Sequence, residues 1–169
     1  MSRICVMCLM FTLVATGCFP AAAADLPKQG DFKVNFYGHG TYKGFPIGKT
    51  RYESSWEEDG FYLGEGLLNH MSLHCIGMTS RTDQTRHTRS SCAAMDIDGD
   101  RIAEDVLAEP YQNGEKEMRG TVTFTGGTGK YAGISGEIKF VSYQGLFKSF
   151  ADNAFEAYAA GEGHYQLPQ

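Results

Sequence analysis

The chain has no surplus of positive charge and no run of basic residues. Its 169 residues include 15 Lys and Arg against 20 Asp and Glu, which gives a formal net charge of -5. A nucleic-acid partner requires a cationic surface, so we expect no nucleic acid. After position 24 there is also no run of the roughly 20 apolar residues that a membrane-spanning helix needs, so we expect no transmembrane segment. A hydrophobic content of 42% and a charged content of 21% exclude an intrinsically disordered chain.

The N-terminus has the pattern of a secretory signal. Arg3 precedes a mostly apolar stretch at 4–16, and Ala22 to Ala24 form a small-residue cleavage pattern. We therefore expect a signal peptide at 1–24, a single domain at 25–169 and a periplasmic or secreted protein. In the alternative interpretation, Ala15 to Cys18 is a lipobox and the protein is lipid-anchored through Cys18.

Few cysteines remain once this signal is set aside. Cys5, Cys8 and Cys18 lie in or beside it, which leaves Cys75 and Cys92. An even pair in an exported chain is typical of a disulfide. Two buried free thiols are the alternative.

Alternation of apolar and polar residues dominates the remaining sequence. Phe32, Val34 and Phe36 alternate with polar residues, and the same period recurs at 51–57 and 121–125. A period of two is typical of half-buried strands. Strands are predicted at about 31–37, 50–57, 61–66, 67–78, 91–97, 101–107, 118–125, 137–144 and 156–166.

Turn signals separate these strands. Asp59-Gly60 and Asp98-Gly99 each resemble a two-residue hairpin turn, and Asn113-Gly114 marks the tip of a longer loop. A polar loop is predicted at 80–90 and one short helical turn within 149–160. The result is an all-β, antiparallel domain of eight or nine strands, which is either a closed barrel or a sandwich.

A glycine-rich segment follows the strand at 118–125. Its spacing does not fit a phosphate-binding loop, because Phe124 stands where the first glycine belongs and Tyr131 follows Lys130. The segment is interpreted as a tight turn whose glycines adopt conformations closed to other residues. The structural turn residues predicted here and at the Asp-Gly hairpin are Asp98, Gly99, Gly126, Gly127, Gly129, Gly133 and Gly136.

The same segment carries a family resemblance. The sequence Phe124-Thr-Gly-Gly-Thr-Gly-Lys-Tyr-Ala-Gly133, followed by Ser135-Gly136, resembles the glycine signature of the allene oxide cyclase and dirigent β-barrel superfamily. It is most similar to exported bacterial proteins in which a cysteine-containing strand, an Asp-x-Asp-Gly-Asp segment and this signature occur in order. The resemblance implies a single antiparallel barrel of about eight strands with a central cavity, often as a homo-oligomer. It implies no catalytic residue, because the matching positions are turn glycines.

No metal or cofactor is expected. Asp96, Asp98 and Asp100 are clustered, but glycine falls at position four instead of six and Leu107 occupies position twelve of a calcium loop. An alternative is a hard cation held at the hairpin tip with help from Glu104 or Asp105. His70 and His74 share one face of the predicted strand 67–78, but four residues of strand span about 13 Å, too far for one metal ion.

Candidate ligand-binding residues are polar or aromatic positions on strand faces: Tyr52, Trp56, His70 and His74. No Gly-x-Ser-x-Gly elbow and no acid–base pair is recognisable, so we assign no catalytic residue. The favoured function is a non-enzymatic exported barrel that binds a small apolar or amphipathic ligand or assembles with itself. The alternatives are a cavity-type isomerase or cyclase resembling allene oxide cyclase, and a structural protein with a solidly packed barrel. A titratable residue with a shifted pKa inside a cavity would favour the isomerase.

Overall fold

The computed structural model describes residues 26–143 and 145–169. The predicted signal peptide at 1–24, its cleavage site, Cys5, Cys8 and the alternative lipidation site Cys18 lie outside the described residues. The sequence-based predictions for that segment therefore stay predictions.

The described chain is all-β. Its strands are β1 (Gln29–Ile47), β2 (Arg51–Gly64), β3 (Ser72–Arg81), β4 (Thr85–Met95), β5 (Arg101–Ala108), β6 (Tyr111–Gln112), β7 (Glu117–Gly127), β8 (Ser135–Tyr143) and β9 (Ala154–Gln166). The helical structure in this part of the chain is a single 3-10 turn at Gly129–Tyr131. All strand pairs are antiparallel, as the alternating sequence pattern predicts.

Eight of these strands form a closed barrel, which confirms the predicted fold class. Neighbours run in the order β3-β2-β1-β9-β8-β7-β5-β4, and pairing of β3 with β4 closes the circle. The two-residue strand β6 pairs only with the start of β4. Closure gives each of the eight strands a hydrogen-bonded neighbour on both sides, so the barrel has no unpaired sheet edge.

The two ends of the barrel differ. At one end, which we call the closed end, the connections 65–71, 96–100 and 128–134 lie together because consecutive strands are antiparallel. Leu67, Leu68 and Met71 of the first connection are buried and belong to the same hydrophobic cluster as Phe32 and Phe124 inside the barrel. The connections at 48–50, 82–84 and 109–116 lie at the other end, which we call the open end.

Several local predictions were wrong. Asp59-Gly60 is not a hairpin turn: β2 continues through it, and Asp59 pairs with His39 on one side and His74 on the other. The predicted polar loop 80–90 is instead the end of β3, a short turn and the start of β4. The predicted strand 67–78 begins only at Ser72, and no helical turn forms within 149–160, where residues 154–160 belong to β9.

Turns do form at Asp98-Gly99 and Asn113-Gly114, although the first lies in a five-residue connection at 96–100 and is not a two-residue hairpin loop. Gly99 has a φ of 87° and Gly114 a φ of 94°, values that favour glycine. The predicted disulfide is confirmed as well: Cys75 and Cys92 are bonded, and they are directly paired residues of β3 and β4 at the seam that closes the barrel.

The Asp96–Asp100 turn is held by a lysine. The Lys130 ammonium lies 2.6 Å from Asp96 and 2.7 Å from Asp98, and Asp100 accepts a hydrogen bond from the Lys130 backbone N–H. Asp96 and Asp98 together raise the pKa of Lys130. Glu104, offered as a further ligand for a cation at this tip, is instead buried inside the barrel, since it shares the inward face of β5 with Ile102.

The glycine-rich segment forms the turn between β7 and β8. Gly129 has a φ of 52°, and a Cβ there would overlap the Asp100 carboxylate. At Gly127 the restriction is space and not φ, because a Cβ would lie 2.5 Å from the carbonyl oxygen of Tyr131. The small size of Gly127 and Gly129 therefore allows the β7–β8 turn to pack against the Asp96–Asp100 turn.

Replacing Gly129 with Val tests this interpretation. The variant combines a strained φ with a clash, so we expect the free energy of unfolding to fall by about 2–3 kcal/mol in thermal or urea melts. Gly114→Val is the control, because Gly114 also has a positive φ but has open space around it, and its loss should be smaller. Lys130→Ala should cost less than about 1 kcal/mol, since the ammonium is partly exposed. A Gly129→Val variant that melts like the parent contradicts the packing role.

Candidate functional site

A cavity of about 660 Å³ occupies the barrel interior on the side of the open end. Its volume lies in the range typical of small-molecule sites. The lining is mixed: apolar residues include Phe36, Trp56, Phe140 and Phe155, and polar residues include Ser54, Glu58, Thr79, Arg81, Arg86, Thr88 and Ser90. The barrel is therefore not packed solid.

Small residues on the inner face of β9 leave this space free. Ala157, Ala159 and Gly161 all line the cavity and follow one another at every second position of the strand. The opposite arrangement holds at the closed end, where Tyr165 of the same strand is buried against Phe32 at a ring distance of 6.2 Å. Side-chain size along β9 thus sets where the interior is packed and where it is open.

Glu58 is the buried carboxyl group of the cavity wall. It lies on β2 two residues beyond Trp56, so both side chains face inward, and it is only 7% exposed. Burial raises the pKa of Glu58 to about 7. Its Oε1 atom is buried with no hydrogen-bond partner among the described residues. A buried polar atom without a partner is costly. This one lies against Gly38 of β1, where an added Cβ would be 2.7 Å from it.

A second buried carboxyl group, Glu104, lies on the same cross-strand row. Register places Glu58 opposite Cys75, Cys75 opposite Cys92, and Cys92 opposite Glu104. The disulfide therefore lies between the two carboxyl-bearing positions. Three strand steps of about 4.8 Å put the backbones of the two glutamates roughly 14 Å apart.

The two carboxyl groups have different surroundings. Glu104 is 1% exposed and accepts a hydrogen bond of 2.9 Å from the Tyr62 hydroxyl. Burial raises the pKa of Glu104 to about 8, and the hydrogen bond from Tyr62 opposes that shift. Burial, followed by the nearby Glu104, raises the pKa of Tyr62 well above its usual value. Glu104 therefore has one internal partner through Oε2, but its Oε1 atom, like that of Glu58, is buried with no hydrogen-bond partner among the described residues.

Trp56 is held in a fixed orientation on the cavity wall. Its indole N–H donates to the Thr79 hydroxyl at 3.2 Å, and its ring meets Phe155 edge to face at 6.0 Å. Gly77 on the neighbouring strand provides the space for the ring, because any Cβ there would overlap it. The indole is thus a rigid apolar surface for a ligand.

Two arginines lie on the cavity wall at the open end. Arg81 ends β3 and is paired directly with Arg86 on β4. The Arg81 guanidinium lies 5.0 Å from the centre of the Tyr52 ring, and that of Arg86 lies 5.9 Å from the centre of Tyr111. Arg86 also donates from Nε to Asn113 at 3.1 Å.

The structure brings together two of the four residues predicted to bind a ligand. Tyr52 and Trp56 line the cavity. His70 and His74 do not line it, so the structure does not support them as ligand-binding residues. His74 points outward and pairs with Asp59 at 2.8 Å, and His70 lies in the connection before β3 with a φ of 64°.

Sequence reasoning missed Glu58 and Glu104 as interior residues. The signal was present in both cases, because Glu58 continues the alternation of Tyr52, Ser54 and Trp56, and Glu104 lies between Ile102 and Val106. Because a turn was predicted at Asp59-Gly60, the predicted strand ended at residue 57, and Glu58 was expected to be a solvated residue beside the turn.

Residues 26–143 and 145–169 contain no group of three or more His, Cys, Asp or Glu side chains arranged to hold a metal ion. Within the same residues no helix has the length and apolar character required to span a membrane.

Comparison with protein-family models, curated proteins and solved structures finds no match to this chain. Similarity to the allene oxide cyclase and dirigent superfamily therefore stays a prediction from the glycine-rich segment.

The two buried carboxyl groups predict how stability depends on pH. Both bind a proton more tightly in the folded protein than in the unfolded chain, where the pKa is about 4.5. The folded protein therefore holds more protons above that pH, and the free energy of unfolding falls as pH rises from about 5 to about 8. The loss is at most about 1.4 kcal/mol per pH unit for each carboxyl group.

Thermal melts across this range test the dependence. Glu58→Gln and Glu104→Gln should each flatten the pH profile. Glu57→Gln removes an exposed carboxyl group next to Glu58 and should leave the profile unchanged. Equal slopes for all four proteins would show that neither buried group titrates as described.

Proposed function

We propose that the barrel binds a small amphipathic molecule in its cavity. The observation that carries this proposal is an accessible cavity of about 660 Å³ that combines a rigid apolar wall, formed by Trp56 and Phe155, with several polar side chains. An apolar cavity with a few polar groups is typical of a small-molecule site.

The apolar part of such a ligand would contact the Trp56 and Phe155 rings. Both line the cavity and hold each other in an edge-to-face arrangement. Burial of apolar surface there contributes about 25 cal/mol per Å² before the costs of association.

Export is part of the proposal. A disulfide at the barrel seam suits an oxidising compartment, and the N-terminal sequence pattern suggests secretion. We propose that the mature protein acts in the periplasm or outside the cell, either alone or as a homo-oligomer.

Filling the cavity tests binding. Ala159→Phe places a ring in the space beside β9, so it should abolish fluorescence enhancement of the uncharged probe N-phenyl-1-naphthylamine. Ala93→Phe is the matched control, because Ala93 lies on β4 between the inward-facing Cys92 and Ala94 and does not line the cavity. Melting temperatures of both variants establish that they are folded. A folded Ala159→Phe protein that binds the probe like the parent contradicts binding in the barrel.

A second candidate function is a cavity-type isomerase. The raised pKa of Glu58 favours it, because a carboxyl group with a pKa of about 7 can act as an acid or a base near neutral pH. In that role Glu58 would exchange a proton with a reactive substrate held against Trp56. A binder needs the same cavity but no proton transfer.

Turnover of an allene oxide, the substrate that the name of the resembled family gives, separates the two. An isomerase predicts that the protein speeds cyclisation and that Glu58→Gln slows it by roughly 100-fold or more, as for general acid–base groups. Glu57→Gln should keep the full rate. Binding of the product without any acceleration would leave the binder and exclude this isomerase activity.

A further inference from the structure

The paired arginines at the open end are an unusual arrangement. Arg81 and Arg86 are directly opposite each other on adjacent strands, and both line the cavity. Like charges at opposed positions destabilise a sheet. A carboxylate would normally lie between them, yet among the described residues neither arginine makes an ion pair.

Two carboxylates at the open end are engaged elsewhere. Glu53 pairs with Arg51 and accepts from Ser80 on the outer surface. Glu156 pairs with His39 at 2.8 Å. Both guanidinium groups are therefore left without a carboxylate within ion-pair distance among the described residues.

Both guanidinium groups are held in place. Each lies over a tyrosine ring, and the hydrogen bond to Asn113 further fixes Arg86. Ordered guanidinium groups bind carboxylate and related oxyanions with little further loss of side-chain entropy. The Arg81–Arg86 pair thus has the features of a site for an anionic head group.

We propose that the ligand of this barrel is an amphiphile with an anionic head group, held by Arg81 and Arg86, whose apolar chain extends into the cavity. This inference rests on the proposed function, since it specifies the ligand class of the same cavity. Tyr52, beside Arg81, and Glu58 both line the cavity and are six strand positions apart, about 20 Å along β2. The cavity is therefore long enough for an extended ten-carbon chain.

The head-group charge is tested by isothermal calorimetry with three compounds that share a ten-carbon chain, each below its micelle concentration. We expect decanoate to bind at least about tenfold more tightly than decan-1-ol, because ordered guanidinium groups form charge-assisted hydrogen bonds with a carboxylate. Decyltrimethylammonium should bind more weakly than the alcohol. Inorganic phosphate is the fourth arm and should not displace decanoate at equal concentration.

Variants assign the effect to the arginine pair. Arg81→Gln with Arg86→Gln should remove the preference for decanoate over decan-1-ol and leave decan-1-ol binding within about twofold. Arg101→Gln is the control, because it removes an exposed arginine at the closed end. The melting temperature of the double variant should equal or exceed that of the parent, since a like-charge pair is lost.

The outcomes separate this inference from the proposed function. Equal binding of decanoate and decan-1-ol, or an unchanged preference in the double variant, overturns the head-group assignment and keeps the cavity binder. Displacement of decanoate by equimolar phosphate shows a free-anion site and overturns the amphiphile. Absence of binding by all the ten-carbon compounds overturns both proposals.

Discussion

Closure of the barrel by the β3–β4 pairing is the constraint on which the rest of the structure depends. Once eight strands form a circle, alternate residues of every strand must share one interior. Cys75 and Cys92 are bonded at this seam, so closure is also covalent. The side chains that point into this interior determine which part of the barrel is packed and which part is a cavity.

The interior is filled unevenly along its length. Large side chains such as Phe32, Phe124 and Tyr165 pack the closed end, and the 65–71 connection covers them. Toward the open end, alanine and glycine on β9 leave a cavity beside Trp56. These small residues make fewer packing contacts than larger ones would, which lowers the stability of the fold. Regions packed less densely than the rest of the core are expected at functional sites.

Two buried carboxyl groups lie in the barrel interior, and their surroundings differ. Glu104 accepts a hydrogen bond from the Tyr62 hydroxyl and does not line the cavity. Glu58 lines the cavity and has no hydrogen bond of this kind. In each of them the Oε1 atom is buried without a partner among the described residues, which is costly and raises the pKa of the carboxyl group.

The fold was largely predictable from the sequence because its signals are local. Alternation defines the strands, and the glycines at positions such as Gly99 and Gly129 are required by positive φ. Pairing of Cys75 with Cys92 followed from their being the two cysteines left after the predicted signal.

The site was less predictable because it depends on strand length and register. An Asp-Gly pair typical of a turn lies within β2, and this error hid Glu58. Arg81 and Arg86 belonged to a predicted loop, and only the register of β3 with β4 places them opposite each other. The face on which a side chain lies at the end of a strand depends on the register with the neighbouring strand, which the local sequence does not determine.

A crystal structure of the protein purified from its native host, without delipidation, tests the central claim most directly. The claim is that the open half of the barrel is a ligand site. We predict continuous non-protein density that begins between Arg81 and Arg86 and runs along the Trp56 ring inside the barrel. An interior filled by rearranged side chains, with no such density, would contradict it.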